Sequence, residues 1–220
     1  MTSLPTPTSS RAERPVIRDI SQPVGTATAV WPGDHPFEIG WSMRRAGGDS
    51  VNVGVVTMSV HTGTHVDGGY HFADDGRRAA ALDLDAFIGP ALVVHADPPG
   101  DLGLEHVRAI DLRATPRILF RTRSHVDERV FPDRFAAIAP PLARALAEAR
   151  VRLVGTDAPS VDPRDSKTLE SHHILGVAGI AILENLVLSD VPAGTYTLVA
   201  LPLRLVEADS SPVRAVLLED

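Results

Sequence analysis

The stretch His61-Thr-Gly-Thr-His65-Val-Asp67-Gly-Gly-Tyr-His71 decides how the rest of the chain is interpreted. Its four ionisable residues are spaced by 4, 2 and 4 positions. Because these intervals are all even, an extended chain directs the four side chains to one face. On a helix, Asp67 would point about 200° away from His65, at roughly 100° per residue. The glycines and threonines of the stretch also disfavour a helix. The pattern therefore predicts an extended segment with its ionisable groups on one side.

A straight strand cannot bring these groups to one metal ion. At roughly 3.3 Å per residue, His61 and His65 would lie about 13 Å apart, whereas two nitrogens on one metal are separated by no more than about 4.2 Å. The segment must bend, and Gly63 and the pair Gly68-Gly69 stand where a turn or bulge would do this. Burial of these groups without a metal would cost roughly 1–3 kcal/mol for each unpaired polar group. The stretch therefore predicts a metal site, with ordinary core or surface histidines as the alternative.

Further candidate ligands lie downstream. His172 and His173 are adjacent, and Glu184 lies among apolar residues on both sides. A glutamate in such a setting is paired, protonated or bound to a metal. A buried Glu184 bonded to a helix N-terminus or an arginine is the alternative. Spacing alone does not decide whether His71 acts as a ligand or as a catalytic group.

Composition restricts the class of protein. The chain has 220 residues, 44% of them hydrophobic, which fits one domain over residues 16–220 after a Ser/Thr/Pro-rich and disordered tail at 1–15. A net charge of −7 without a basic stripe argues against a nucleic-acid partner. No apolar run reaches the roughly 20 residues that span a membrane, and no secretory signal is present, so a cytoplasmic location is expected. Without cysteine, a metal must be bound by imidazole and carboxylate.

Hydrophobic patterning predicts an α/β single domain with a strand-rich mixed sheet and a few helices. The helices are predicted at 104–109, 141–150 and 168–175, and a loop at 157–167. The strands are predicted at 51–60, 87–95, 117–122, 151–155, 176–187, 195–206 and 212–218, after an apolar segment at 16–20.

Several separated motifs identify a family. They are Trp31-Pro-Gly-Asp, Ser50-Val-Asn-Val, the 61–67 stretch, His71-Phe72, Gly155-Thr-Asp-Ala-Pro-Ser-Val-Asp-Pro163, His172, Leu183-Glu-Asn185, Ala200-Leu-Pro-Leu and Ser211-Pro-Val-Arg-Ala-Val216. In this order and at this spacing, from about residue 16 to 218, they resemble the bacterial kynurenine formamidases, which are cyclase-like, metal-dependent arylformamidases.

The resemblance implies a swivelling β/β/α fold, a homodimer and two divalent metal ions, usually zinc, with manganese also compatible. Carried over by position, His61, His65 and Asp67 match the ligands of one metal, and Asp67, His172 and Glu184 those of the other. His71 matches the family's proton donor and acceptor, and Trp31 its substrate-contacting aromatic residue. The spacing to Glu184 favours His172 over His173. The expected reaction is the hydrolysis of the small molecule N-formyl-L-kynurenine to L-kynurenine and formate.

The chain departs from the family at one point. Gly68-Gly69 replaces the usual Ala-Pro before His71, which predicts a looser turn. The alternatives are a related enzyme acting on another cyclic amide, lactone or formamide, such as an isatin-like ring, and a metal-binding module without turnover. A serine hydrolase would need Gly-x-Ser-x-Gly, which the sequence lacks.

Overall fold

The computed structural model describes residues 15–96, 100–123 and 127–219. The predicted N-terminal tail lies outside the described residues, except for Pro15. Within these ranges, the structure contains no helix that could serve as a membrane span.

A nine-stranded sheet organises the described chain. Its strands are β1 (Val16–Asp19), β4 (His65–Asp67), β5 (Ile88–His95), β6 (Arg117–Arg121), β7 (Leu153–Thr156), β8 (Ala181–Glu184), β9 (Gly194–Val199), β10 (Ser210–Pro212) and β11 (Val216–Glu219). They lie in the order β1-β11-β9-β5-β6-β7-β8-β4-β10. The strands β5 to β8 run parallel, and the other pairs are antiparallel. The sheet is therefore mixed, as the sequence predicts.

Two α-helices connect the parallel strands. Helix α1 (Pro140–Glu148) joins β6 to β7, and α2 (Glu170–Val177) joins β7 to β8. Proline suits the start of α1 because its missing N–H would have no partner within the helix there. Such crossover connections place helices on a sheet face and bury the parallel strands, and every residue of β6, β7 and β8 is buried.

The core has two parts that lie on opposite faces of the sheet. On β6, for example, Leu119 belongs to one cluster and its neighbours Ile118 and Phe120 to the other. This alternation follows from the two-residue period of a strand. The second cluster also contains Leu142 of α1 and Leu175 of α2, so the helices cover that face.

A separate hairpin is formed by β2 (Glu38–Met43) and β3 (Val53–Thr57). Every residue of both strands is exposed. The predicted strand at 51–60 is thus confirmed only over its middle, and it belongs to the hairpin rather than to the main sheet.

Several predicted boundaries are wrong for local reasons. The predicted strand at 176–187 begins with the last residues of α2 and continues into a turn at Gly179. Gly179 has a left-handed φ of +71°, and the strand β8 starts only after this turn. The segment 195–206 leaves the sheet after Val199. The segment 212–218 is divided between β10 and β11. The predicted helix at 104–109 is a 3₁₀ helix, Leu104–Val107.

Candidate metal centre

The pairing of β4 with β8 brings the central residues together. The two strands are antiparallel, and His65 lies directly opposite Glu184. Because Asp67 follows His65 by two positions on the same strand, it projects from the same face. The distance from His65 Nε2 is 3.4 Å to Asp67 Oδ1 and 3.4 Å to Glu184 Oε2. An even spacing and a cross-strand register therefore place an imidazole between two carboxylates.

The bend predicted at Gly63 is present. Gly63 has a φ of +69°, and a Cβ there would lie 2.5 Å from Val24 Cγ2, so both conformation and space favour glycine. The turn brings His61 Nδ1 to 3.1 Å from Asp67 Oδ1. The Gly63 carbonyl accepts a hydrogen bond of 2.8 Å from His65 Nδ1. This bond selects the tautomer that leaves His65 Nε2 free to face the carboxylates.

Helix α2 supplies His172. Its Nε2 lies 3.3 Å from Asp67 Oδ2 and 3.5 Å from Glu184 Oε1. Each carboxylate therefore has one oxygen beside His65 and the other beside His172. His173, the neighbour on the helix, is exposed and its ring packs against Phe72. The structure thus brings His172, rather than His173, to the cluster.

These groups are buried, and three of their polar atoms lack a hydrogen-bond partner among the described residues. His65, Asp67, His172 and Glu184 are each at most 5% exposed. Among the described residues, His65 Nε2 and both Asp67 carboxylate oxygens form no hydrogen bond. Orphaned buried atoms of this kind are costly, and a divalent cation would satisfy them. The donor set of imidazole nitrogen and carboxylate oxygen fits such a cation, and His65, Asp67 and Glu184 have ligand atoms within 4.8 Å of one another.

The imidazoles and carboxylates of the cluster shift one another's pKa. Burial lowers the pKa of His65, but Asp67 and Glu184 outweigh burial and raise it to about 10. For His172 burial also lowers the pKa, and Asp162, Asp67 and Glu184 raise it well above its ordinary value. Burial raises the pKa of Asp67, but the surrounding histidines hold it well below its usual range. The imidazoles and carboxylates of the cluster therefore favour one another's charged forms.

Asp162 orients His172. Its carboxylate accepts a hydrogen bond of 2.7 Å from His172 Nδ1 and bonds from the backbone N–H groups of Ser171 and His172. It therefore caps α2 and selects the His172 tautomer that presents Nε2 to the cluster. Glu184, a carboxylate of the cluster itself, is also held from behind, since its Oε1 accepts a bond of 2.9 Å from the Val161 N–H. Asp157 plays no such part, since its carboxylate accepts bonds from the backbone N–H groups of Thr122 and Arg123.

The cluster borders a cavity of about 650 Å³. Its lining includes His61, His65, His172 and Glu184 of the cluster, and His71, Trp31 and His35. The Trp31 ring meets the Phe131 ring edge-on, with centroids 5.2 Å apart. A partly apolar cavity with convergent polar groups is typical of a small-molecule site.

His71 lies beside His61 on the cavity wall. Their ring centroids are 4.2 Å apart, and the His71 side chain is about a third exposed. His61, Asp67 and His71 also have ligand atoms within 4.8 Å of one another. The structure therefore brings together all seven site residues that the sequence predicts, while their individual roles stay predictions.

Sequence reasoning missed Asp209. Its Oδ2 lies 2.9 Å from His61 Nε2 and 3.4 Å from His71 Nδ1. The residue precedes β10 and is far from the histidines in sequence. No spacing pattern connects it to them, and only the pairing of β10 with β4 brings it to the site.

Comparison with known proteins agrees with this architecture. A family model described as a putative cyclase matches residues 18–163. The chain is 49% identical to the kynurenine formamidase of Geobacillus thermodenitrificans and 45% identical to that of Bacillus cytotoxicus, over 90% of this chain and 95% of each relative. A solved structure described as a potential metal-dependent hydrolase with cyclase activity superposes with a TM-score of 0.81 at 27% identity, covering 94% of this chain and 98% of the other. Isatin hydrolase A from Labrenzia aggregata shares the fold, with a TM-score of 0.79 at 22% identity over 93% of each chain. The predicted fold class is confirmed.

Proposed function

This chain belongs to the cyclase family, and on that premise we propose that it is an arylformamidase that hydrolyses N-formyl-L-kynurenine to L-kynurenine and formate. The observation that carries the proposal is the buried set of His65, Asp67, His172 and Glu184 at the edge of a cavity that Trp31 and His71 also line. The extent of similarity to curated kynurenine formamidases supports the choice of substrate.

We further propose two divalent ions in each subunit, with zinc preferred and manganese compatible. His61, His65 and Asp67 would hold one ion, and Asp67, His172 and Glu184 the other. The support is that each carboxylate has its two oxygens beside different imidazoles, which suits a bridging ligand. When bound, such ions would polarise a carbonyl and lower the pKa of bound water to about 7.

The protein's own residues position the substrate and move the proton. Hydrolysis adds water to the formyl carbon and breaks the bond between that carbon and the aryl nitrogen, which must gain a proton as it leaves. His71, on the cavity wall, is the proposed donor. Trp31 is the proposed contact for the aromatic ring of the substrate, an interaction of about 1 kcal/mol beyond burial. Phe131 supports the Trp31 ring edge-on.

The decisive experiment combines metal analysis with a rate assay on N-formyl-L-kynurenine. We expect bound divalent metal in the purified protein, loss of hydrolysis on chelation and recovery on re-addition of zinc. Hydrolysis that survives complete removal of the metal would overturn the metal-dependent mechanism. A panel that includes isatin tests the alternative of a cyclic amide substrate, and turnover of any aryl formamide excludes a non-catalytic module.

The role of His71 is tested by His71→Ala. The variant should retain its metal and lose roughly 10²–10⁴-fold in kcat, which is the usual contribution of a general acid or base. His106→Ala is the matched control, since His106 does not line the cavity. Near-normal turnover by metal-loaded His71→Ala would remove His71 from the mechanism.

We also propose that the protein is a homodimer and acts in the cytoplasm on a small-molecule substrate, without nucleic-acid or membrane partners. The exposed apolar residues of the β2–β3 hairpin support the dimer, because a contiguous apolar surface of this kind marks an interaction site. An isolated two-stranded hairpin is also only marginally stable in water. The net charge of −7 argues against a nucleic-acid partner. Cell fractionation would test the cytoplasmic location.

A further inference from the structure

One carboxylate outside the predicted ligand set contacts two imidazoles of the site. Asp209 Oδ2 lies 2.9 Å from His61 Nε2 and 3.4 Å from His71 Nδ1. The Asp209 side chain is about a third exposed, like that of His71. An ionised carboxylate can only accept hydrogen bonds, so both ring nitrogens that face it must carry protons.

The backbone on both sides of Asp209 is anchored to the segment that carries His71. The Asp209 carbonyl accepts a bond of 2.7 Å from the Gly68 N–H, and the Ala208 carbonyl accepts one of 3.0 Å from the Ala79 N–H. On the other side, Ser210 pairs with Asp67 in the register of β10 and β4. The carboxylate is therefore held in place by the same strand pairing that positions the ligand Asp67.

We propose that Asp209 is a positioning residue that holds the His71 imidazole with its proton on Nδ1, leaving Nε2 as the nitrogen that exchanges protons with the substrate. The kinetic effects expected of Asp209 variants rest on the proposed formamidase function. A carboxylate behind an imidazole fixes the tautomer and ring orientation and stabilises the protonated ring. The distance of 3.4 Å is long, as such bonds often are before substrate binds.

The contact with His61 gives Asp209 a second effect. His61 is a proposed metal ligand whose Nδ1 faces Asp67, and Asp209 takes up its opposite nitrogen, Nε2. An outer partner of this kind raises the basicity of a ligating imidazole, and its loss typically costs about 10–100-fold in metal affinity. One carboxylate therefore links the orientation of a ligand to the orientation of the proton donor.

The competing interpretation makes His71 a metal ligand, because His61, Asp67 and His71 have ligand atoms within 4.8 Å of one another. It adds Asp209 as a further ligand, because Asp209 Oδ2 contacts both His61 and His71. The two interpretations differ in a measurable quantity. A positioning residue can be removed without changing the number of metal ions bound at saturation, whereas loss of a ligand lowers that number or changes the coordination.

The test compares Asp209→Asn with Asp209→Glu and with Glu207→Gln in zinc-loaded protein. Glu207→Gln is the matched control, because it removes a charge from an exposed residue of the same segment. We expect Asp209→Asn to bind the same number of zinc ions at saturation and to lose about 100-fold or more in kcat with a smaller change in KM. Asp209→Glu should recover part of this loss, and Glu207→Gln should behave as wild type.

A double-mutant cycle and an NMR measurement distinguish positioning from general damage. In the His71→Ala background, Asp209→Asn should cost little more in kcat, because the two residues act as one unit. Long-range ¹H–¹⁵N spectra should show the His71 proton on Nδ1 in the wild type and a mixture of tautomers in Asp209→Asn.

Additive effects of His71→Ala and Asp209→Asn, a reduced zinc stoichiometry in Asp209→Asn, or an unchanged His71 tautomer would each overturn the positioning role. The spectra need no substrate. They therefore report on Asp209 even if wild-type protein fails to hydrolyse N-formyl-L-kynurenine, which would contradict the proposed function alone.

Discussion

Asp162 shows how a single side chain outside the proposed ligand set controls the candidate centre. It accepts the Nδ1 proton of His172, so that Nε2 is the nitrogen available to a cation, and it caps the helix on which His172 lies. The Gly63 carbonyl likewise accepts the Nδ1 proton of His65, which leaves His65 Nε2 available to a cation. The geometry of the cluster therefore depends on the hydrogen bonds behind the imidazoles as well as on the imidazoles and carboxylates themselves.

Removal of the Asp162 charge should weaken metal binding. In Asp162→Asn the amide oxygen can replace Oδ2 as the acceptor of both His172 bonds, but the NH₂ group then faces the Ser171 N–H, donor against donor. The variant also loses the negative charge beside the His172 imidazole. We expect metal affinity to fall by about 10–100-fold, measured by competition with a chelator of known affinity. Asp165→Asn, an exposed position in the same loop, is the control and should bind as wild type. Equal affinities for wild type and Asp162→Asn would contradict the orienting role.

Metal uptake should depend on pH in a defined direction. In the metal-free protein the carboxylates outweigh burial and raise the pKa of His65 to about 10, so this imidazole is protonated at neutral pH. A cation must displace that proton, and its apparent affinity should therefore rise with pH, by about tenfold per unit for each displaced proton between about pH 6 and pH 8. Calorimetry in buffers of different ionisation enthalpy should show proton release. A flat affinity over this range would mean that the histidines are already neutral.

At the scale of the element, the residue type in the turn between β4 and His71 is restricted by the space around Gly68. Gly68 has φ −84° and ψ 153°, a conformation open to any residue. A Cβ there, however, would lie 2.6 Å from the Asp209 carbonyl oxygen and 2.7 Å from that of Arg77. The Gly-Gly pair therefore permits a close approach of three backbone segments, which the expectation of a looser turn did not anticipate.

Gly68→Ala should destabilise the protein, although alanine is the usual residue in the family that the sequence resembles. Both clashing atoms are backbone, so the strand β10 or the Arg77 segment must move. We expect a loss of about 1–3 kcal/mol in the free energy of unfolding, as for other overpacked sites, measured by denaturant titration. Gly25→Ala, where a Cβ would meet nothing within 4 Å, should change stability by no more than about 0.5 kcal/mol. If Gly68→Ala left the free energy of unfolding unchanged, β10 or the Arg77 segment would be able to move at little energetic cost.

At the scale of the whole molecule, the β2–β3 hairpin contributes no residue to either core cluster of the described chain. Both strands are exposed, and its apolar residues include Ile39, Trp41 and Val56. Ile39 and Val56 are cross-strand partners and share one face. Asp34 and His35, which precede β2, and Ser59, which follows β3, line the cavity. A second copy packed on the hairpin would therefore lie close to the cavity.

The proposed dimer should be broken by charge on that face. In Ile39→Lys/Val56→Lys, two ammonium groups would be buried at the interface without partners, so we expect a monomer by sedimentation velocity at micromolar concentration. The double variant Leu84→Lys/Val177→Lys also replaces two exposed apolar residues, outside the hairpin, and should stay dimeric. A dimeric hairpin variant, or a monomeric wild type, would contradict the proposal.

The local features of the site follow from the sequence by itself. The even spacing of His65 and Asp67, the bend at Gly63 and the helix that carries His172 depend on residues close together in the chain, whose geometry is restricted by backbone sterics. For the same reason the buried strands β6 and β7 and the helix α1 were predicted close to their observed bounds.

Tertiary structure alone decided the contacts between distant segments. The opposition of His65 and Glu184, the approach of Asp209 to His61 and His71, and the separation of the β2–β3 hairpin from the main sheet all depend on strand order and register. These are set by the burial of the whole apolar surface, to which every strand contributes, and no short stretch of residues encodes them.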